Sequence, residues 1–406
     1  MTLLLLVIIY LAFISLGLPD SLLGAAWPVM QKDFGAPLET AGFLFMTIAG
    51  STIVSSLVSG KLLKRFGTGK VAFFSGFITA SALLGFYFAP SIIWLFVCCI
   101  PLGLGAGAVD AALNNYVAIH YKAHHMSWLH SFWGVGASLG PIIMAQFISE
   151  QNGFRNGYLS ISGIQFALAV ILIFSLPLWN RVSKNSNMAV NNSLEDTPYE
   201  SAHENLKHIK PLQIKGVKLA LLSFLFYCGV EATVGLWGSS YLVNMKELPA
   251  SVAAQWVSFY WGGLTIGRFI TGFVTFKMSN KMLIRMGQII AVIGAALLIL
   301  PLPSFISLVG FIMVGLGLAP IFPCMLHETP RRFGKTHSQT IMGYQMAVAS
   351  TGSTFIPPLL GLIASYTTIG IFPYLLVIYI ALMLLCSEQL NSLIRKRVRL
   401  SKVKVI

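Results

Sequence analysis

Three carboxylates stand in segments otherwise built of hydrocarbon: Asp20 in GLPDSLLGAAWP, Asp110 in GLGAGAVDAALNNYV and Glu231 in CGVEATVGLWGSSYL. An ionised side chain in the middle of an apolar span is unfavourable by about 2.5–3.5 kcal/mol on insertion scales, so an acid there needs a compensating role. A carboxyl group that loses its water favours the neutral form, which lets it take up and release a proton near neutral pH. Neutralising it also removes the electrostatic penalty of closing a cavity around it. Proton occupancy is thereby coupled to a change of shape. The competing role for Asp20 is structural: Pro19 donates no backbone hydrogen bond, and an aspartate beside it can cap amides freed at a helix break. Asp110 has Asn114 at i+4 on the same helical face, and Gly103, Gly105 and Gly107 before it permit close helix approach. A polar clamp between helices is its alternative. Glu231 has Tyr227 at i−4 and Gly235 at i+4, and could meet substrate hydroxyls, a cationic group or another helix.

Around these acids lie amphipathic aromatics and amides: Trp27, Asn114, Asn115, Trp133, Trp237, Tyr241, Tyr260, Trp261, Tyr344 and Gln345. Sugar sites combine hydroxyl-bonding amides and acids with aromatic faces that pack on the apolar side of a pyranose ring. With Glu231 these residues form the candidate substrate-binding set, although each aromatic alone also suits a core or an interfacial belt. His130, with an unperturbed pKa of about 6.5, joins Asp20 and Asp110 as a candidate proton carrier; a hydrogen-bonded packing histidine is the alternative. Arg268 in IGRFITG can snorkel or pair with Glu328, and is expected in a cytoplasmic gate. His120, His124 and His125 cluster in YKAHH without a cysteine or carboxylate beside them, so a solvated loop is preferred to a metal site. The five cysteines show no CxxC spacing, which argues for free thiols rather than a disulfide or metal framework. No Walker loop and no nucleophile–base motif is present. We therefore expect no enzyme, no cofactor and no metal, with the proton as coupling ion and sodium the other ion left open.

The elements that must position these groups are membrane spans. Of 406 residues, 56% are hydrophobic and only 10% charged, against about 25% charged in soluble domains. Apolar runs of spanning length fall at 2–30, 39–59, 71–89, 92–119, 127–148, 157–179, 217–244, 251–275, 281–300, 303–326, 338–365 and 370–391. Basic residues concentrate in the even-numbered loops and the tail, from Lys61, Lys64, Arg65 and Lys70 to the cluster at 395–404, whereas the odd-numbered loops hold Lys32, Arg155 and Lys246. The positive-inside rule then puts both termini in the cytoplasm. It also accounts for the net charge of +14 with no nucleic-acid partner. The long polar segment divides the chain: an N-terminal six-helix bundle at 1–180, a cytoplasmic linker at 181–216, a C-terminal six-helix bundle at 217–392 and a basic tail at 393–406. Shifted by 212 residues, Gly50–Gly60 falls on Gly262–Gly272, and Gly103-Leu104-Gly105 falls on Gly315-Leu316-Gly317, with Asp20 one residue from Glu231. Such a parallel repeat is a transporter architecture, with its site near the midplane between the halves.

The loop GKLLKRFGTGK, Gly60 to Lys70, resembles the loop between the second and third helices of the major facilitator superfamily, through Gly60, Leu62, Arg65, Gly67 and Lys70. Lys64 stands where that family carries an acid. More narrowly, LPDSLLGAAWPVMQKDF, GLGAGAVDAALNNYV, WLHSFWGVGASLGP, CGVEATVGLWGSSYL and GLGLAPIFP resemble the first, fourth, fifth, seventh and tenth helices of the fucose-permease-like branch, the fucose/glucose/galactose:proton symporters. The resemblance implies an all-α membrane protein of twelve transmembrane helices in two six-helix bundles related by a pseudo-two-fold axis. It implies a central cavity lined by the first, fourth and seventh helices, and a gating role for Arg65 beside Arg268 and Glu328. The expected function is proton-coupled symport of a small polar solute, a monosaccharide or related polyol, by alternating access. A proton-coupled antiporter exporting drugs or amphipathic metabolites is the alternative, and a transport-dead receptor or scaffold is a third reading that the short soluble segments disfavour. A multi-pass monomer in the lipid bilayer of the cell membrane is expected.

Overall fold

Each apolar run becomes helix because lipid leaves the backbone no partner but itself. The computed structural model describes residues 2–121, 123–150, 153–193, 211–275 and 277–403. The N-terminal half contains α1 (Thr2–Asp20), α2 (Leu22–Asp33), α3 (Thr40–Phe66), α4 (Thr68–Tyr87), α5 (Ile92–His120), α6 (Ala123–Phe147) and α7 (Gly153–Ser193). The C-terminal half contains α8 (Val217–Lys246), α9 (Ala250–Val274), α10 (Asn280–Ile299), α11 (Ser304–Leu318), α12 (Ile321–Phe333), α13 (Lys335–Tyr366) and α14 (Phe372–Val403). The twelve expected spans are all helical. Two of them are interrupted: the first at Ser21, between α1 and α2, and the tenth at Ala319–Pro320, between α11 and α12. Pro19 and Pro320 lack the backbone donor that would carry the ladder through. Helix α7 runs 14 residues past the expected boundary at 179, and α14 carries the basic tail as helix to Val403. Most of the expected linker, residues 194–210, lies outside the described residues.

By length and composition, ten spans among the described residues suit a membrane, with α1–α2 and α11–α12 each counted once. Helices α6 and α9 are as long but are diluted by His, Gly, Trp, Tyr and Arg. They pack on each other across the boundary between the halves, so both carry polar residues toward the centre. Large apolar side chains point outward, Leu57 at 80% exposure and Phe174 at 79% among them. Apolar surface of this extent is a liability in water and suits lipid.

The sequence repeat holds in three dimensions. A Cβ built on Gly103 of α5 would strike the Ile48 carbonyl of α3, and one on Gly315 of α11 would strike the Tyr260 carbonyl of α9. The struck residues are themselves 212 apart. Likewise Gly105 lies against Ser75 and Thr79 of α4, and Gly317 lies against Gly287 and Ala291 of α10, at the same offset. Each bundle therefore packs its fourth span onto its second and third through glycines that let the backbones touch. Pairings within the bundles follow suit: α1 with α6 and α8 with α13, α4 with α7 and α10 with α14.

Candidate functional site

The helix interruption at Ser21 sets Asp20 as the last residue of α1, with its side chain exposed to a central cavity of about 1970 Å³. Asp110 of α5 and His130 and Trp133 of α6 line the cavity from the N-terminal bundle; Glu231 of α8 and Trp261 and Arg268 of α9 line it from the C-terminal bundle. The cavity reaches Thr275, Asn280, His327 and Arg331, at the end that carries the even-numbered connections. At the other end α2 and α8 shut it. Gly24 sits so close to α8 that a Cβ would collide with the Gly235 carbonyl, and Gly42 of α3 lies with its built Cβ 2.7 Å from Pro358 Cα of α13.

At the centre, Trp133 Nε1 donates a 2.8 Å hydrogen bond to Asp20 Oδ2. The Arg268 guanidinium lies over the same indole, 5.8 Å from its centroid. The Trp261 ring meets Trp133 edge-on at 5.7 Å and 86°. One guanidinium nitrogen, Nη2, reaches Glu231 Oε1 and Tyr227 Oη, each at 3.2 Å. The pair is mostly sheltered, at 17% and 15% side-chain exposure. Tyr260 supports it from behind by donating to the Glu231 backbone carbonyl at 3.2 Å. In the other bundle Asn114 Nδ2 donates to Asp110 Oδ1 at 2.9 Å. Asp20 and Asp110 thus have neutral donors, whereas Glu231 has a cation.

Several expectations are corrected by this geometry. Arg268 does not pair with Glu328; it sits at mid-cavity on Glu231, because its position on α9 faces α8. Glu328, also on the cavity wall near the mouth, instead meets Asn280 Nδ2 at 3.2 Å, Arg331 at 3.5 Å and Arg332 at 3.8 Å, all within the C-terminal bundle. Arg65 is exposed at the end of α3 with its guanidinium 5.3 Å from the Phe66 ring, away from the cavity wall. Trp27, Trp237 and Tyr241 are packing residues rather than wall residues. Trp27 is buried in the closed-end core, Trp237 Nε1 donates to the Pro357 carbonyl at 2.8 Å, and Tyr241 Oη donates to the Leu298 carbonyl at 2.5 Å. Tyr260, Gln345 and Tyr344 also lie outside the wall, and Gln345 accepts from Thr329 at 3.0 Å. Asn115 is exposed but off the wall, and Asn114 reaches the site only through Asp110. Tyr227 and the cavity-lining Cys228 were not among the candidate site residues; the spacing of Tyr227 one turn before Glu231 was the signal. Of the histidine cluster, His124 has no described side chain, His120 Nδ1 contacts the Tyr116 carbonyl at 3.0 Å, and His125 Nδ1 contacts Tyr10 Oη at 2.7 Å. The five cysteines are free.

Two duplicated bundles of spanning helices, a cavity between them that is open at one end, and intramembrane charges on its walls define a membrane carrier. Residues 9–357 match the family model of the Major Facilitator Superfamily, and the chain belongs to that family. Among curated relatives, the protein "Bypass of stop codon protein 6" of Saccharomyces cerevisiae is 26% identical, covering 91% of this chain and 79% of the relative. The "Glucose/mannose transporter GlcP" of Bacillus subtilis is 24% identical, covering 92% of each chain. Among solved structures, the xylose transporter XylE from E. coli in an inward open conformation superposes with a TM-score of 0.75 at 13% identity, over 96% of both chains. At that identity the likeness is one of fold.

Proposed function

We propose that the protein is a secondary transporter that carries a monosaccharide or related polyol together with protons, by alternating access of the central cavity. The observation that carries this reading is the arrangement of cavity acids: Asp20 and Asp110 on one bundle face the Glu231–Arg268 pair on the other, inside a cavity closed at one end. Asp20 and Asp110, bonded only by Trp133 and Asn114 among the described side chains, are the proton carriers, and His130 lies beside them on the wall. Trp133, Trp261, Glu231 and Arg268 offer ring faces, acceptors and donors to a hydroxylated ring. Support for the sugar comes from relatives named as a glucose/mannose transporter and a putative glucose/galactose transporter, and for the proton from a structural neighbour titled D-xylose-proton symporter. Both termini and the cavity mouth lie on the cytoplasmic face of the cell membrane, by the distribution of basic loop residues. The test is reconstitution into proteoliposomes containing a pH-sensitive dye. Addition of D-glucose or a related monosaccharide should trigger proton entry together with uptake. Drug-dependent proton exchange with no response to any sugar rejects symport in favour of export.

A further inference from the structure

We propose that Trp133 is the positioning residue that transmits the charge state of Asp20 in one bundle to the Arg268–Glu231 pair in the other. This rests on the symport reading above for its transport consequence, but the contact itself stands on geometry. Three features meet in one indole. Its only polar atom is committed to Asp20 at 2.8 Å. Its face carries Arg268. Its backbone is fixed by α1, where a Cβ on Gly17 would overlap the Trp133 carbonyl. Asp20 and Trp133 belong to the N-terminal bundle, Arg268 and its partner Glu231 to the C-terminal bundle, so the ring is a physical link between a charge of one half and a charge pair of the other.

Indole N–H only donates. A charge-assisted hydrogen bond to a carboxylate is roughly twice as strong as one to a neutral acceptor. When Asp20 is ionised, the bond is strong and polarises the ring toward its face, where it attracts the guanidinium. When Asp20 takes a proton, both attractions weaken together. Arg268 is then held less by Trp133 and more by Glu231 and Tyr227, which alters the donors it offers to a solute and frees the contact between bundles to slide. The other charged or titratable groups lining the cavity are Asp110 from α5, Tyr121 just after it, His130 from α6 and, across the cavity, Cys228 and Glu231 from α8 and Arg268 from α9, with Cys324, His327, Glu328 and Arg331 of α12 toward the mouth; α2 and α7 present none to it among the described residues. Of these groups, Arg268 lies over the Trp133 ring.

The experiment uses the full chain in two arms. In the first, tryptophan fluorescence of the purified protein in detergent is titrated with pH, without solute. A transition present in the wild type should vanish in both Trp133→Phe and Asp20→Asn, and persist in Trp94→Phe, whose indole bonds the Gly85 carbonyl outside the cavity. Persistence in Trp133→Phe, or no transition in the wild type, overturns the proposal. In the second arm, with D-glucose as probe, Trp133→Phe keeps the ring for Arg268 and Trp261 but removes the donor. The ratio of gradient-driven accumulation to counterflow should fall at least tenfold, and the pH profile of uptake should flatten. An unchanged ratio and profile overturn the proposal. If the wild type moves no D-glucose in either mode, the sugar reading fails while the fluorescence arm still decides the role of Trp133.

Discussion

Asn114 holds Asp110 through two acceptors of the same residue, its carboxylate and its backbone carbonyl. Its Nδ2 lies 2.9 Å from Asp110 Oδ1 and 3.0 Å from the Asp110 backbone carbonyl, so the amide is anchored to the helix and presents a fixed donor. In Asp110→Asn the new amide oxygen can accept the same bond, which keeps the geometry and removes the proton. We expect this variant to lose uphill accumulation driven by a pH gradient while retaining part of its exchange or binding. Comparing gradient-driven uptake with counterflow in proteoliposomes checks it, and continued uphill accumulation removes Asp110 from the proton path.

The Arg268–Glu231 pair predicts strong non-additivity. Removing either partner leaves the other charge sheltered beside Tyr227 and Tyr260. Hydrogen bonds to charged groups contribute about 1.5–3 kcal/mol, and cavity water softens the loss here. We expect Arg268→Gln and Glu231→Gln each to destabilise by about 1–3 kcal/mol, and the double variant to lie closer to the wild type than the sum of the singles. A double-mutant cycle on thermal melting in detergent measures the coupling; simple additivity would falsify the pairing.

Much of this architecture is legible in the sequence. Length and hydropathy located the spans because lipid permits little else, and the offset of 212 found the repeat because close glycine packing is demanded equally in both halves. The three acids were legible for a similar reason: a charge in hydrocarbon has few purposes. Partner choice was not. Asp20 and Trp133 are 113 positions apart, and nothing local in the sequence says that their helices meet. Nor does composition distinguish Trp133, on the wall, from Trp27 and Trp237, which fill the closed-end core. An amphipathic ring suits either place, and only the rotation of its helix decides between them. The same holds for Arg268, whose position toward the cytoplasmic end of α9 points to the mouth although its side chain turns inward to Glu231 of α8.

Glu328 and Arg332 form a different kind of pair, both about 6–7% exposed, at 3.8 Å, with Arg332 also reaching Asn391 of α14 at 3.3 Å. This ties α12 to α14 within one bundle. Breaking a buried pair by removing one partner is unfavourable by about 3–5 kcal/mol. We expect Glu328→Gln to lower the melting temperature clearly while leaving the pH profile of transport in place. A melt indistinguishable from the wild type, or a shifted pH profile, contradicts the structural role.

The closed end makes the sharpest mechanical prediction. Helices α2 and α8 meet there backbone to backbone at Gly24, and the Gly235 carbonyl occupies the space a Cβ would need. Side-chain bulk at position 24 therefore opposes this closed arrangement, while an arrangement in which the two helices part is indifferent to it. Overpacking of a tight contact is unfavourable by about 1–3 kcal/mol. At about 1.4 kcal/mol per factor of ten, Gly24→Val should move the balance between conformers roughly five- to a hundred-fold toward the form open at this end. Cys228 on the cavity wall reports the change. In a Cys324→Ser background, needed because Cys324 also lines the cavity, its labelling by a membrane-impermeant maleimide applied from the closed side should accelerate by that factor. Gly163→Val on α7, where a Cβ meets nothing within 4 Å, should label like the parent. Equal rates for all three proteins mean that the Gly24–Gly235 contact does not hold the cavity shut.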